Sequence, residues 1–358
     1  MAKRNQFKRF VWLLLKVAIA AIAAGIIFLT WQTKTAYNPE PVEKILVSGE
    51  ATPLPDTLTL TTYNIGYCGL GAGMDFFYEG GTMVRPGKEE FDSYLGGVMK
   101  RLATFENNDF ILLQEVDTLA KRSWYANQYR LIKNKFSGFH SFFALNYKAW
   151  VPMPVLQPMG QVRAGLVTMS KTNATAVERH AFNAGYTWPM SLFMLKRCFL
   201  VSRYKTMNGK ELVLVNTHNS AFGDAAEIRQ KELSQLKLLM KDESEKGNYV
   251  IIGGDWNQNP AVFDSSAIDK NYRVKTIQPP IPDDFLPEGW RYAYDLVLPT
   301  NRDLDIPYAE GKTKTTLIDF FIISPNVELI SAKTTSTGFQ ESDHQPVTVK
   351  VVLKKLAF

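Results

Sequence analysis

Cysteine is nearly absent: the 358 residues hold two, Cys68 and Cys198. A disulfide framework is excluded, and so is a zinc site built on cysteine. A single bridge or two free thiols remain, and nothing in the sequence places the pair side by side. A phosphate-cradling P-loop is also missing. Gly69, Gly71, Gly73, Gly80, Gly81 and Gly87 crowd one stretch, yet no G-x-x-x-x-G-K-[ST] occurs there. There is no internal repeat and no low-complexity tract. Acidic residues are absent from the first 36 positions, which hold Lys3, Arg4, Lys8, Arg9, Lys16 and Lys34. That segment accounts for the whole net charge of +6, and the remaining 35 basic residues balance 35 acidic ones. A long groove for duplex nucleic acid usually shows as basic excess. The chain beyond residue 36 has none in total, although a neutral sum is compatible with a local patch.

What is present begins with an apolar run from Phe10 to Trp31, broken only by Lys16. At about 1.5 Å per residue it reaches roughly 30 Å, enough for a bilayer core. Lys16 lies near its N-terminal end and can snorkel to the headgroups. Trp12 and Trp31 suit the two interfaces, and the basic residues in front of the run favour an N-terminus inside. The remainder is then extracytoplasmic. A cleaved signal peptide is the alternative, but its apolar region is about 7–15 residues, shorter than this run. The expected organisation is a cytoplasmic basic segment (1–9), a transmembrane signal-anchor (10–31), a proline-bearing linker (32–57) and a catalytic domain (58–358).

From Leu58 onward strand and helix patterns alternate. Strands are expected at Leu58–Tyr63, Phe110–Gln114, Ala164–Ser170, Phe199–Tyr204, Leu212–Thr217, Tyr249–Gly253, Leu317–Ile323 and Val347–Leu353. Helical spacing of apolar residues marks Glu89–Phe105 and Ala225–Lys241. The alternation predicts a mixed sheet system covered by helices. Three longer stretches lack periodicity: 68–88, 145–163 and 278–315. Long ordered loops in enzymes usually shape substrate access, and the first starts just after Asn64, as a wall of the site would.

Polar residues gather at the ends of these strands. Asn64 closes Thr62-Tyr63-Asn64, Glu115 follows Leu112-Leu113-Gln114, and His218 follows Val215-Asn216-Thr217. Asp255 and Asn257 share Gly253-Gly254-Asp255-Trp256-Asn257, Asp319 follows Leu317-Ile318, and Asp343 and His344 sit in Ser342-Asp343-His344-Gln345-Pro346. Each alone has a plain structural reading. Asn64 fits a turn residue, Glu115 a surface acid, His218 a satisfied buried histidine. Together they describe a rim where oxygen ligands hold a divalent cation and an imidazole activates water. His140 and His180 fall outside these motifs. Asn173-Ala174-Thr175 is a glycosylation sequon, meaningful only in a eukaryotic secretory setting.

In this order the motifs resemble the endonuclease/exonuclease/phosphatase superfamily, over about Leu58 to Leu353. The resemblance implies a four-layer α/β sandwich of two packed mixed β-sheets flanked by helices, here preceded by one transmembrane helix. It implies hydrolysis of phosphate esters with Mg²⁺, or with Mn²⁺ or Ca²⁺ in its place. Residue by residue, Glu115, Asn64 and Asp343 correspond to the metal side. His344 corresponds to the general base, Asp319 to the carboxylate orienting it, and Asp255 to the group positioning the attacking water. Asn257 corresponds to the donor to a phosphoryl oxygen, and His218 to a second histidine facing the phosphate or the leaving oxygen. Three readings of the substrate follow. The first is a lipid headgroup or small phosphoester cleaved outside the cytoplasm by a membrane-anchored enzyme. The second is nucleic acid cut by a deoxyribonuclease I-like enzyme. The third is a catalytically inactive tethered binding module. Oligomeric state is not legible.

Overall fold

Residues 2–221 and 226–354 are described by the computed structural model. The chain opens with α1 (Ala2–Thr35) and β1 (Val42–Ile45), then β2 (Thr57–Asn64), α2 (Lys88–Ala103), β3 (Phe110–Asp117) and α3 (Gln128–Lys135). Next come β4 (His140–Val151), β5 (Gly160–Ser170), β6 (Ala176–Ala181), β7 (Cys198–Lys205), β8 (Glu211–His218) and α4 (Ala226–Glu245). Then follow β9 (Tyr249–Asp255), β10 (Arg273–Val274), β11 (Arg291–Ala293), β12 (Asn301–Arg302) and β13 (Lys314–Thr316). β14 (Asp319–Ile323), β15 (Val327–Thr334) and β16 (Val347–Leu353) complete the series.

Two crossovers determine where the site falls. β2 and β3 are parallel neighbours joined through α2, and β8 and β9 are parallel neighbours joined through α4. Parallel pairing requires such a crossover, and it brings successive strand ends to the same edge. The sequence supports both units. In α2, Glu89 and Glu90 lie in the first turn and Lys100 and Arg101 in the last, matching the helix dipole. Its Phe91, Tyr94, Val98 and Leu102 form one buried stripe. The uninterrupted Phe110-Ile111-Leu112-Leu113 run of β3 is buried on both faces, as a strand between two layers must be.

One sheet has seven strands in the order β1-β6-β7-β8-β9-β14-β11, the other six in the order β15-β16-β2-β3-β5-β4. A small third sheet joins β10, β13 and β12. Leu58, Leu60, Phe110 and Leu112 of the six-stranded sheet share one buried cluster with Leu200, Leu212, Leu214, Ile251 and Phe321 of the seven-stranded sheet. α4 covers the outer face of the larger sheet through Leu233, Leu236 and Met240. α2 and α3 cover the outer face of the other through Val98, Leu102 and Ile132. The result is the expected four-layer order of helix, sheet, sheet and helix. α1 is long and apolar enough to cross a membrane, and its most apolar window is not buried by the rest of the chain.

Several boundaries differ from the sequence reading. Ala225, the first residue of an expected helix, lies outside the described residues, as do Met1 and residues 355–358. The stretch 32–57 is not linker throughout. α1 continues to Thr35, and Val42–Ile45 is the edge strand of the seven-stranded sheet, paired with β6. This strand is short and charged because an edge has little to bury. Likewise 145–163 is mostly the β4–β5 hairpin, with only 152–159 as its loop. A register shift between Leu145 and Tyr147 breaks its alternation and hides the strand pattern. The Asn173 side chain is buried and its amide donates to the Ser48 carbonyl at 2.7 Å, so the folded sequon offers no acceptor nitrogen.

Candidate active site

Register brings the polar strand ends together. On the larger sheet His218 is the cross-strand partner of Asp255. Asp319 opens β14 rather than closing a strand, but β14 runs antiparallel to β9, so Asp319 also lies opposite Asp255. On the facing sheet Asn64 pairs with Gln114, immediately before Glu115. Asp343 and His344 lead into β16, whose first residue Val347 pairs with Thr62 near the end of β2. All eight residues singled out from the sequence thus converge on one rim.

Local backbone devices aim these side chains. Between Leu113 and Val116 the β3–β5 register shifts by one residue, and Glu115 takes a φ of 58°. A bulge with a left-handed residue turns a side chain out of the strand's alternation, here toward the rim. Asn257 has a φ of 52°, a conformation asparagine tolerates, and its backbone N–H donates to Asp255 Oδ1 at 2.9 Å. Gly66 has a φ of +48°, and a Cβ there would stand 2.6 Å from Asp343 Oδ1. Only glycine lets that carboxylate approach. The Ser342 hydroxyl donates to the Asn64 carbonyl at 2.9 Å, clipping the Ser-Asp-His segment to the end of β2.

The centre of the site is one imidazole. His344 Nδ1 lies 2.8 Å from Asp319 Oδ2, so Nδ1–H donates to a fully buried carboxylate. Nε2 then carries the lone pair. The amide nitrogens of Asn301 and Asn64 stand 3.1 and 3.3 Å from it, as donors to an acceptor. Charge pulls the other way. Burial lowers the pKa of His344, but Asp319, Asp343 and Asp255 outweigh it and hold the ring well above its usual range. The hydrogen bonds favour the neutral tautomer with Nε2 as an acceptor, and a cation that neutralised the neighbouring acids would favour it further. His218 is displaced downward, by burial first and then by the charges of Arg197 and His344. It is therefore neutral, with Nε2 3.4 Å from Asp255 Oδ2.

A divalent cation fits this donor set. Burial, more than any neighbour, raises the Asp343 carboxyl to about 6 and pushes Asp255 well above the carboxylate range. Buried carboxylates crowded in this way are what a hard cation compensates. Asp255, Asp319 and His344 place ligand-type atoms within 4.8 Å of one another, but the Asp319–His344 hydrogen bond already engages two of them. Glu115 and Asp343 are better placed to offer free oxygens. Asn64 is turned differently from a ligand. Its Oδ1 accepts from the Gly66 N–H at 3.0 Å, so its nitrogen faces Asp255 Oδ2 at 3.0 Å and Glu115 Oε1 at 3.5 Å. In this orientation it steers the carboxylates.

The rim opens into a cavity of about 480 Å³, lined among others by Glu115, His218, Asp255, Asn257, Asp343 and His344, with Asn64 and Asp319 behind them. All three aperiodic stretches contribute to its walls, including Phe76 and Tyr78 from the first, Met159 from the second and Asp303 from the third. Arg122, Arg197, Arg229 and Lys275 supply positive charge around it. His140 and His180 stay outside, the latter beside Glu178 and stacked on Phe199. Sequence reasoning missed Asn301 and a polar strut beneath the rim. In that strut Gln114 Nε2 donates to Asn216 Oδ1 at 2.8 Å, joining the two sheets. Both lie one or two residues before a site residue, and that adjacency was the available signal.

Comparison with solved structures finds the same fold. An endonuclease/exonuclease/phosphatase from Beutenbergia cavernae superposes with a TM-score of 0.53 at 16% identity, covering 85% of this chain and 74% of that one. ANGEL2, a 2',3'-cyclic phosphatase solved with adenosine-2',3'-vanadate, gives 0.56 at 14% identity, covering 89% and 100%. The human nocturnin catalytic domain gives 0.52 at 15%, covering 84% and 94%. Among curated proteins no sequence matches. Residues 61–344 match the profile of the Endonuclease/Exonuclease/phosphatase family. The rim of strand ends lies within that span, and the chain belongs to this family of hydrolases.

Proposed function

We infer that the protein is a membrane-anchored, extracytoplasmic phosphoesterase that cleaves a lipid headgroup or small phosphoester with a divalent cation, Mg²⁺ by the hardness of its oxygen donors. The Asp319–His344 hydrogen bond at 2.8 Å, with Nε2 directed to a carboxylate-lined cavity, carries this reading. His344 Nε2 takes the proton of the attacking water while Nδ1–H keeps donating to Asp319, which fixes the tautomer. Asp255 accepts from the same water and orients it. Asn257 donates one amide hydrogen to the Asn219 carbonyl at 2.8 Å and keeps the second for a phosphoryl oxygen. His218, neutral, donates to the phosphate or the leaving oxygen. Glu115 and Asp343 hold the cation, with the Asn64 amide steering Glu115 and Asp255. When bound, the cation supplies Lewis-acid polarisation of the phosphoryl oxygen.

A cavity of about 480 Å³ and the neutral charge beyond residue 36 favour a compact phosphoester over a polymer. The test uses the full chain in detergent micelles against sphingomyelin, phosphoinositides, plasmid DNA and bis-p-nitrophenyl phosphate, each with Mg²⁺ and with chelator. Hydrolysis of a lipid or small ester that stops on chelation is expected. Glu115→Gln should lower turnover by about 100-fold or more, the scale of one lost preorganised electrostatic contact. Full activity in excess chelator, or plasmid cleavage alone, overturns the reading.

A further inference from the structure

The end of α1 is not free of the domain it carries. Phe28 packs against Trp150 with ring centroids 5.6 Å apart and stacks on Phe193 at 6.1 Å. Gln32 is buried, its amide donating to the Trp150 carbonyl at 2.7 Å. Phe28 is one helical turn before Trp31, about 4.5 Å deeper along the axis at 1.5 Å per residue. If Trp31 marks the interface, Trp150 and Phe193 are held at or below that level.

Both partners border segments with exposed apolar side chains. Beyond Trp150, the β4–β5 loop exposes Val155 (75%) and Leu156 (99%). Before Phe193, the segment leading to β7 exposes Trp188 (60%) and Met190 (53%). Large side chains this exposed, adjoining the exit of an apolar helix, match an interfacial surface. The same two segments then run into the cavity. Met159 ends the first loop, and Met194 and Leu195 follow Phe193. The Tyr147 hydroxyl, on the cavity wall, donates to the Phe193 carbonyl at 2.8 Å.

We propose that residues 153–156 and 188–190 insert into the bilayer crossed by α1, so that the cavity opens onto that membrane and takes a phospholipid of the same leaflet. The apolar wall of Met159, Met194 and Leu195 receives the glycerol or ceramide portion next to the headgroup. This rests on the phosphoesterase reading for its chemistry, but not for its geometry.

Full-length protein in phosphatidylcholine vesicles tests the geometry without any turnover. Both native cysteines are buried, so Leu156→Cys can be labelled selectively with an environment-sensitive fluorophore. Met207→Cys, on the β7–β8 turn at the far end of β7, is the control. Doxyl-labelled phosphatidylcholine should quench the label at 156 and leave the one at 207 unchanged. Equal quenching at the two positions, or none at 156, overturns the proposal. A Val155→Asp/Leu156→Asp variant should lose about tenfold or more in turnover of vesicle phospholipid, as expected when two apolar contacts with the bilayer are removed. Its turnover of soluble bis-p-nitrophenyl phosphate should stay unchanged. Equal loss on both substrates, or none on either, overturns the orientation of the cavity. Quenching at 156 with no hydrolysis of any ester removes the enzymatic reading and leaves the membrane surface standing.

Discussion

His344 is held from both sides: Asp319 accepts from Nδ1, and two asparagine amides approach Nε2. On the proposed mechanism the ring is the proton acceptor, and His344→Ala should reduce turnover by about 10²–10⁴-fold. Asp319→Asn leaves the ring in place but offers Nδ1 a weaker acceptor or a competing donor, and should reproduce most of that loss. The two side chains act as one unit, so the double variant should be little slower than His344→Ala alone. Initial rates of the three purified variants, with matching circular dichroism spectra, decide the matter. Defects that multiply would separate the pair. The Asp319–His344 pairing was legible in the sequence only through family resemblance, because the residues stand 25 positions apart. Asn301 was not legible at all. Its approach to His344 depends on an isolated bridge from the two-residue β12, which no local pattern announces.

Among the elements, β8 and β9 meet at a glycine, Gly254, whose cross-strand partner is Thr217. Gly254 has a φ of +152°, and a Cβ there would stand 1.9 Å from the Thr217 carbonyl oxygen. Gly254→Ala should therefore cost about 1–3 kcal/mol in backbone strain alone, with the clash adding to it. Because Asp255 follows directly, turnover should fall even in molecules that remain folded. Chemical denaturation at 25 °C and a rate per folded molecule separate the two effects, and wild-type values for both would show that the strands can part. Elements that bury both faces were readable: β3, β8 and β9 carry short runs of Leu, Ile and Val. The four-residue β1 and the long β4 were not, since one lies at an edge with Glu43 and Lys44 and the other is interrupted by a bulge. Edges and bulges are set by neighbours distant in sequence, so period-two patterning fades there.

At the scale of the whole molecule, α1 and the two-sheet body meet through Phe28 and Gln32. On the anchored reading the protein should stay in the membrane fraction through a carbonate wash, and protease added outside intact cells should digest the catalytic body. Release of a form lacking residues 1–30 would reveal a cleaved signal, and full protection would invert the orientation. Between Thr35 and Val42 the chain has six residues before β1 locks it into the sheet. Stretched fully, those seven steps reach about 25 Å. On the anchored reading, a leash that short would confine catalysis to two dimensions. An anchored enzyme of this geometry samples the lipids diffusing past it in its own leaflet and cannot reach an apposed bilayer. The quantity that saturates it is then the mole fraction of substrate in the membrane plane, so diluting the vesicles in buffer leaves the rate per enzyme unchanged, whereas diluting the substrate among inert lipids lowers it.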